Sequence, residues 1–312
     1  MKRSWQSFLL NGLLRLGVRS RYRADDDPVQ SRQQAIEAGR RFNPPLPPGI
    51  ESRSRAMGNV PALFFENSNG EIEKSVGDKK AILYLHGGGF YVPALSLHER
   101  FVGILSNALQ CQVFMPDYRL VPEHVFPAAV DDCLQSYQFL LDEGYVAENI
   151  IIAGDSAGGN LALVTLMSAR DLGLPMPAGA VLLSPATDCL FRGPSLKTNR
   201  HRDPLFKVST LHWMLGMYLP AKNYRDPKAS PLCGSFEGLP PLRFHVGSTE
   251  LLLDSSRLAD RKARRQGVDS SVRVWHKMPH VFPLLPYLPE AQQATNQIVE
   301  FMQTCWSSRR AK

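Results

Sequence analysis

An α/β fold with a mainly parallel sheet is predicted by three features of this 312-residue sequence. Short runs rich in β-branched and apolar residues alternate with segments of helical periodicity, the pattern of successive βαβ units. Two glycine clusters, "HGGG" at 86–89 and "GDSAGG" at 154–159, each follow directly on such a run. One interval between runs, 188–236, is too long for a simple crossover and reads as an insertion.

Residues 1–50 read as an N-terminal arm. Trp5, Phe8, Leu9, Leu13 and Leu16 fall on one helical face, with Lys2, Arg15 and Arg19 elsewhere. That apolar face is expected to dock on the protein's own core. Contact with a membrane surface is the alternative, and the basic flanks suit it. A signal peptide is not expected, because Asn11 and Arg15 interrupt the apolar stretch and no small-residue cleavage site follows. The stiff "NPPLPPGI" (43–50) separates the arm from "ESRSRAM" and "VPALFFE", which form a hairpin pattern joined at Gly58-Asn59. Further strands are expected at 81–85, 111–115, 149–153, 178–184, 242–246 and 271–275. The core thus comprises 51–187 and 237–312, with 188–236 inserted as a cap over the strand ends.

Hydrophobic content of 44% and charged content of 21% describe an ordinary soluble globular protein. The net charge of +7 raises the question of nucleic acid, but the basic residues are dispersed apart from the termini and "RLADRKARRQG" (257–267). No nucleic-acid motif accompanies that run, so nucleic acid is not an expected partner. The five cysteines are widely spaced, odd in number and include no CxxC pair, which points to reduced thiols and a cytoplasmic location rather than to zinc or disulfides. No apolar run approaches the length of a membrane span.

The chemistry centres on Ser156, which Gly154-Asp155-Ser156-Ala157-Gly158 places on a tight strand-to-helix turn. A packing turn, a phosphate cradle and a nucleophile elbow compete for this motif. The cradle is weakened because the lysine of a P-loop and the spacing of a dinucleotide fingerprint are both missing. The glycines at 87–89 favour the elbow, since their N–H groups would lie on the same sheet edge and could hold an oxyanion. His86, just before that loop, reads as structural. Among eight histidines, His280 in "HKMPHVF" is the best base, in a loop past the last strand. His276 and His245 read as packing or surface residues, and nothing in the sequence aims His98, His124, His201 or His212 at the elbow. The acid orienting the base should follow a strand between serine and histidine, which leaves Glu250 and Asp254 and favours Glu250.

With these residues in place the sequence resembles the hormone-sensitive-lipase branch of the α/β-hydrolases. The resemblance rests on HGGGF (86–90), DYRLVPEHVFPAA (117–129, with Val125 departing), GDSAGGNLA (154–162) and MPHVF (278–282), and it runs from about residue 55 to 300. It implies an α/β-hydrolase fold, with an eight-stranded, mostly parallel sheet flanked by helices and a helical cap built from the arm and the insertion. The family mostly carries D-x-L-x-D at the acid, whereas this chain reads Glu250-Leu-Leu-Leu-Asp254. The implied reaction is hydrolysis of short- to medium-chain acyl esters by Ser156, His280 and Glu250. The N–H groups of Gly87, Gly88 and Ala157 would form the oxyanion hole, with no metal or cofactor. The partner is then a small-molecule ester, and a homodimer stays open. Amide hydrolysis or acyl transfer on the same triad, or ligand binding without catalysis, are the competing functions. The family's non-catalytic receptors lack the histidine, whereas Ser156 and His280 are both present here.

Overall fold

The computed structural model describes residues 4–19, 26–41, 43–68, 76 and 79–308. Eight strands form one sheet in the order β1-β2-β4-β3-β5-β6-β7-β8. Strands β1 (Ile50–Met57) and β2 (Val60–Asn67) are the expected hairpin, and β2 also runs antiparallel to β4 (Gln112–Pro116). All later pairings, through β3 (Ala81–Leu85), β5 (Ile150–Asp155), β6 (Gly179–Leu183), β7 (Leu242–Gly247) and β8 (Ser270–Trp275), are parallel. β3, β5 and β6 are buried on both faces, which is why they read as unbroken apolar runs rather than alternating ones.

Period-two alternation divides these strands between two cores. Leu83, Leu85, Ile152 and Leu182 face a layer containing α4 (Ala128–Asp142), α5 (Ser156–Asp171) and α8 (Leu253–Arg265). Ile82, Tyr84, Ile151 and Leu183 face α3 (Ser96–Leu109) and α9 (Pro289–Ser308). In register, Leu85 pairs with Gly154, Asp155 with Leu183, Leu183 with His245, and Gly247 with Trp275. The carboxyl ends of β3, β5, β6, β7 and β8 are therefore level, and the loops that leave them converge on one edge. Ser184, expected inside a strand, lies just past β6 in the left-handed region (φ 49°), which frees its hydroxyl for the site described below.

The arm comprises α1 (Trp5–Leu14), continued by a π-helical turn (Arg15–Arg19), and α2 (Pro28–Arg41). The insertion carries α6 (Ser195–Thr198) and α7 (Val208–Tyr218). The two meet directly. Arg15 donates to the Arg202 carbonyl (2.9 Å), and Arg19 to those of Arg200 (2.5 Å) and Phe206 (3.2 Å). Ser4 donates twice to Glu290 (2.8 and 2.9 Å), and Asn11 donates to the Lys277 carbonyl (3.0 Å). These bonds turn α1 away from its expected orientation. Trp5, Phe8, Leu9, Leu13 and Leu16, the face expected to dock on the core, are 54–80% exposed. The helix docks instead through the side that carries Ser7, Leu10, Asn11 and Leu14. The physical reason is that α1 is apolar on both sides, so the polar anchors rather than hydrophobicity choose which side goes in. Among the described residues no helix is long and apolar enough to cross a membrane.

Candidate active site

Ser156 begins α5 directly after β5 with φ 53°, a left-handed conformation that is unfavourable for a residue with a Cβ. The turn is this tight because Gly158 packs against β3. A Cβ there would lie 1.9 Å from the Leu85 carbonyl oxygen. The serine hydroxyl thus stands at the sheet edge, and His280 Nε2 lies 2.9 Å from Ser156 Oγ. On the other side of the ring, His280 Nδ1 is 2.8 Å from Glu250 Oε2. The second Glu250 oxygen accepts from Ser184 Oγ (2.9 Å) and from the Gly247 N–H. These donors reduce the cost of complete burial, which still leaves the Glu250 carboxyl above its ordinary pKa. Asp254, the other candidate acid, points elsewhere. It accepts from the Ser195 N–H (2.6 Å) at the start of α6 and pairs with Arg257 (3.4 Å).

Burial opposes a positive charge on His280, but the hydrogen bond and negative charge of Glu250 outweigh it, with smaller help from Asp203 and Asp155. The imidazole pKa is therefore raised above its ordinary value. Phe206 of the insertion packs its ring edge-on against the imidazole, 5.0 Å between centroids.

The glycine loop differs from expectation at one position. The Gly87 N–H donates to Asp155 Oδ1 (2.9 Å), so it is engaged below the elbow and not presented to a substrate. A Cβ on Gly87 would meet the same carboxylate at 2.1 Å. Gly88 and Gly89, with φ of 126° and 60°, line the cavity instead, together with Ser156, Ala157 and His280. As the first residues of α5, Ser156 and Ala157 have N–H groups without intrahelical partners. The cavity above Ser156 has a volume of about 590 Å³. Its walls are almost wholly apolar and include Leu10 and Leu14 of α1, Ala35 of α2, Met214 of α7, Phe90 and Leu284.

Residues 82–284 match the family of the alpha/beta hydrolase fold. The chain belongs to that family. An esterase of Acinetobacter venetianus is 32% identical over 299 residues, spanning 95% of this chain and 96% of its own length. An acetyl-hydrolase of Streptomyces hygroscopicus is 37% identical over 228 residues, 73% of this chain and 76% of its own. Among solved structures, an esterase of the bacterial hormone-sensitive lipase family is 34% identical with a TM-score of 0.89, covering 98% of this chain and 100% of that one. EstE5 is 36% identical with a TM-score of 0.89, covering 97% and 99%. This α/β-hydrolase is an esterase, a carboxylic ester hydrolase.

Around the esterase's elbow lie Asp155, His98, Asp203 and Asn199, to which the sequence assigns no role, and His86 and His245, which it reads as structural or packing residues. Asp155 Oδ1 also accepts from Tyr84 Oη (2.9 Å), and His98 Nε2 lies 3.5 Å from Asp155 Oδ2. His98 Nδ1 accepts the Leu95 N–H (3.0 Å), so Nε2 carries the proton that faces Asp155. Burial works against the Asp155 carboxylate, but His98, Tyr84 and Gly87 together hold its pKa below the usual range. His86 is buried against Tyr118, rings stacked at 4.3 Å, and its Nδ1–H donates to the Gly87 carbonyl (2.7 Å). His245 accepts from Trp275 Nε1 (3.1 Å) within the sheet. From the insertion, Asp203 accepts the Leu251 N–H (2.7 Å), while Asn199 donates to the carbonyls of Ser248 (3.1 Å) and Glu250 (2.8 Å). The insertion therefore grips the loop that carries Glu250. No local motif signals these partnerships, which join residues about 50 positions apart.

Proposed function

We propose that this esterase is a serine carboxylesterase of short- to medium-chain acyl esters, working through an acyl-enzyme. The carrying observation is the unbroken line from Ser156 through His280 to Glu250 at the floor of an apolar cavity. Ser156 Oγ attacks the acyl carbonyl as its proton passes to His280 Nε2, and Glu250 stabilises the imidazolium through Nδ1–H. The oxyanion is held by the N–H groups of Gly88, Gly89 and Ala157, a donor set that replaces Gly87 by Gly89 because the Gly87 N–H is taken by Asp155. The C–O bond to the alcohol breaks as His280 returns the proton to the leaving oxygen. Water then attacks the acyl-enzyme with His280 again as base, releasing the acid and restoring Ser156.

Residues 1–50 and 188–236 act as the cap that closes the cavity and limits the acyl chain. A cavity of this size lies within the usual range for small-molecule sites. Crystals of the related EstE5 were soaked with p-nitrophenyl butyrate, an ester of a four-carbon acid. The test is turnover of p-nitrophenyl esters of increasing acyl length by wild-type protein and by Ser156→Ala. The variant should lose about a million-fold in kcat, as expected when nucleophile and base act as a unit. Retention of a tenth of the wild-type rate would remove Ser156 from the nucleophile's role.

A further inference from the structure

The anchored orientation of α1 leaves Trp5, Leu9 and Leu13 facing outward on consecutive turns. A helix that is apolar on both sides is normally covered on both sides, and a contiguous exposed apolar face marks an interaction surface. Leu13 has a double position. It is 68% exposed, yet it also lines the cavity beside Leu10, Leu14 and Val18. The helix thus stands between the cavity and the outside, and Leu13 lies at the cavity's rim.

What surrounds this face is basic. Arg15 and Arg19 tie the helix to the segment that bears the exposed Arg200, His201 and Arg202, and Asn11 ties it to exposed Lys277 beside His276. The acidic residues on these contacts, Asp203 and Glu290, are buried and accept hydrogen bonds from within the protein. In the sequence, residues 1–23 carry Lys2, Arg3, Arg15, Arg19, Arg21 and Arg23 and no acidic residue, and three aspartates, Asp25, Asp26 and Asp27, follow before α2. A second copy of the chain would fit this surface badly, because a two-fold contact through α1 would bring the basic rim against itself. An anionic lipid surface satisfies both features, with acyl chains against the apolar side chains and headgroups against the arginines.

We infer that α1 is a lipid-docking element which seats the esterase on anionic membranes with the cavity rim at the interface. An apolar ester then enters from the lipid side past Leu13 without crossing bulk water. The docking stands on its own. Only the entry route rests on the cavity being the ester site.

The experiment is sedimentation of the full-length Ser156→Ala protein with vesicles of phosphatidylcholine and phosphatidylglycerol, against pure phosphatidylcholine, at low and high salt. Use of the inactive variant separates docking from catalysis, so a failure of the proposed nucleophile does not alter this readout. The expected result is binding to the anionic vesicles, weakened by salt, with a blue shift of Trp5 emission. Adding Trp5→Ser and Leu9→Ser, neither of which lines the cavity, should weaken vesicle binding by at least about tenfold. In the otherwise wild-type chain the same two changes should leave turnover of dissolved p-nitrophenyl butyrate unchanged. Equal binding with and without the substitutions, or no binding to anionic vesicles, overturns the inference. A concentration-dependent dimer that these substitutions abolish would assign the face to a second copy and overturn it equally.

Discussion

Glu250 and Asp254 stand four positions apart in the sequence, and their carboxylates serve different partners, His280 and the start of α6. Glu250→Gln should lower kcat by several orders of magnitude. The amide cannot stabilise the imidazolium, and its N–H₂ group can favour the wrong ring tautomer. Asp254→Asn keeps an oxygen for the Ser195 N–H and should cost about 1 kcal/mol of stability at most, with kcat retained. Steady-state kinetics and urea titrations of the two variants check both outcomes, and a dead Asn variant beside an active Gln variant would reverse the assignment. The raised pKa of His280 has a kinetic consequence as well. If His280 acts as the proposed base it must be neutral, and a raised pKa keeps it protonated to higher pH. The acid limb of kcat/KM should therefore have its midpoint above about 6.5, the ordinary histidine value. A limb at or below that value would show that Glu250 does not hold the imidazolium.

At the scale of elements, the arm lines the cavity through α1 and α2. Deleting residues 1–41 should leave the eight-stranded sheet folded, since only arm contacts are lost, and should change the ratio of rates on four-carbon and longer acyl esters. An unchanged acyl-length profile in a folded deletion variant would take the arm out of the site. The same elements show how far the sequence could be read. β3, β5 and β6 were legible as apolar runs, and the hairpin from its Gly58-Asn59 turn, because those signals are local. The positions of the glycine loop and the elbow were legible for the same reason. The facing of α1 was not, because Leu10 and Leu14 are as apolar as Leu9 and Leu13 and the deciding bonds run to Glu290 and Lys277. Nothing local reveals that Asp155 accepts the Gly87 N–H, so the sequence alone points that group toward the substrate. His98 and Asp203 were likewise hidden, since each acts on a loop distant in sequence.

For the whole molecule, two buried histidines weaken the fold in acid. Burial, with His98 nearby, lowers His86 to about 4. Burial, with Arg243 and Arg273 nearby, lowers His245 to about 3. Unfolded, both would take up a proton near the ordinary value of about 6.5. The unfolded chain therefore binds more protons between that value and the lowered ones, and stability falls as pH drops through this window. His280, raised rather than lowered, is protonated in both states below about 6.5 and gives no further compensation there. At about 1.4 kcal/mol per pH unit for each group, the loss by pH 4.5 is a few kcal/mol. Urea midpoints should decline steadily from neutral pH to 4.5, and a flat profile would contradict the neutral burial of these rings. The manner in which the arm is fastened has a different bearing, on evolution. Arg15, Arg19, Asn11 and Arg32 all donate to main-chain carbonyls, those of Arg202, Arg200, Phe206, Lys277, Tyr91 and Val121. Every residue type carries that acceptor. Side chains in the insertion can drift, and with them the shape of the cavity wall, while these backbone attachments of the arm persist; a lineage can thus reshape that wall without refastening the arm.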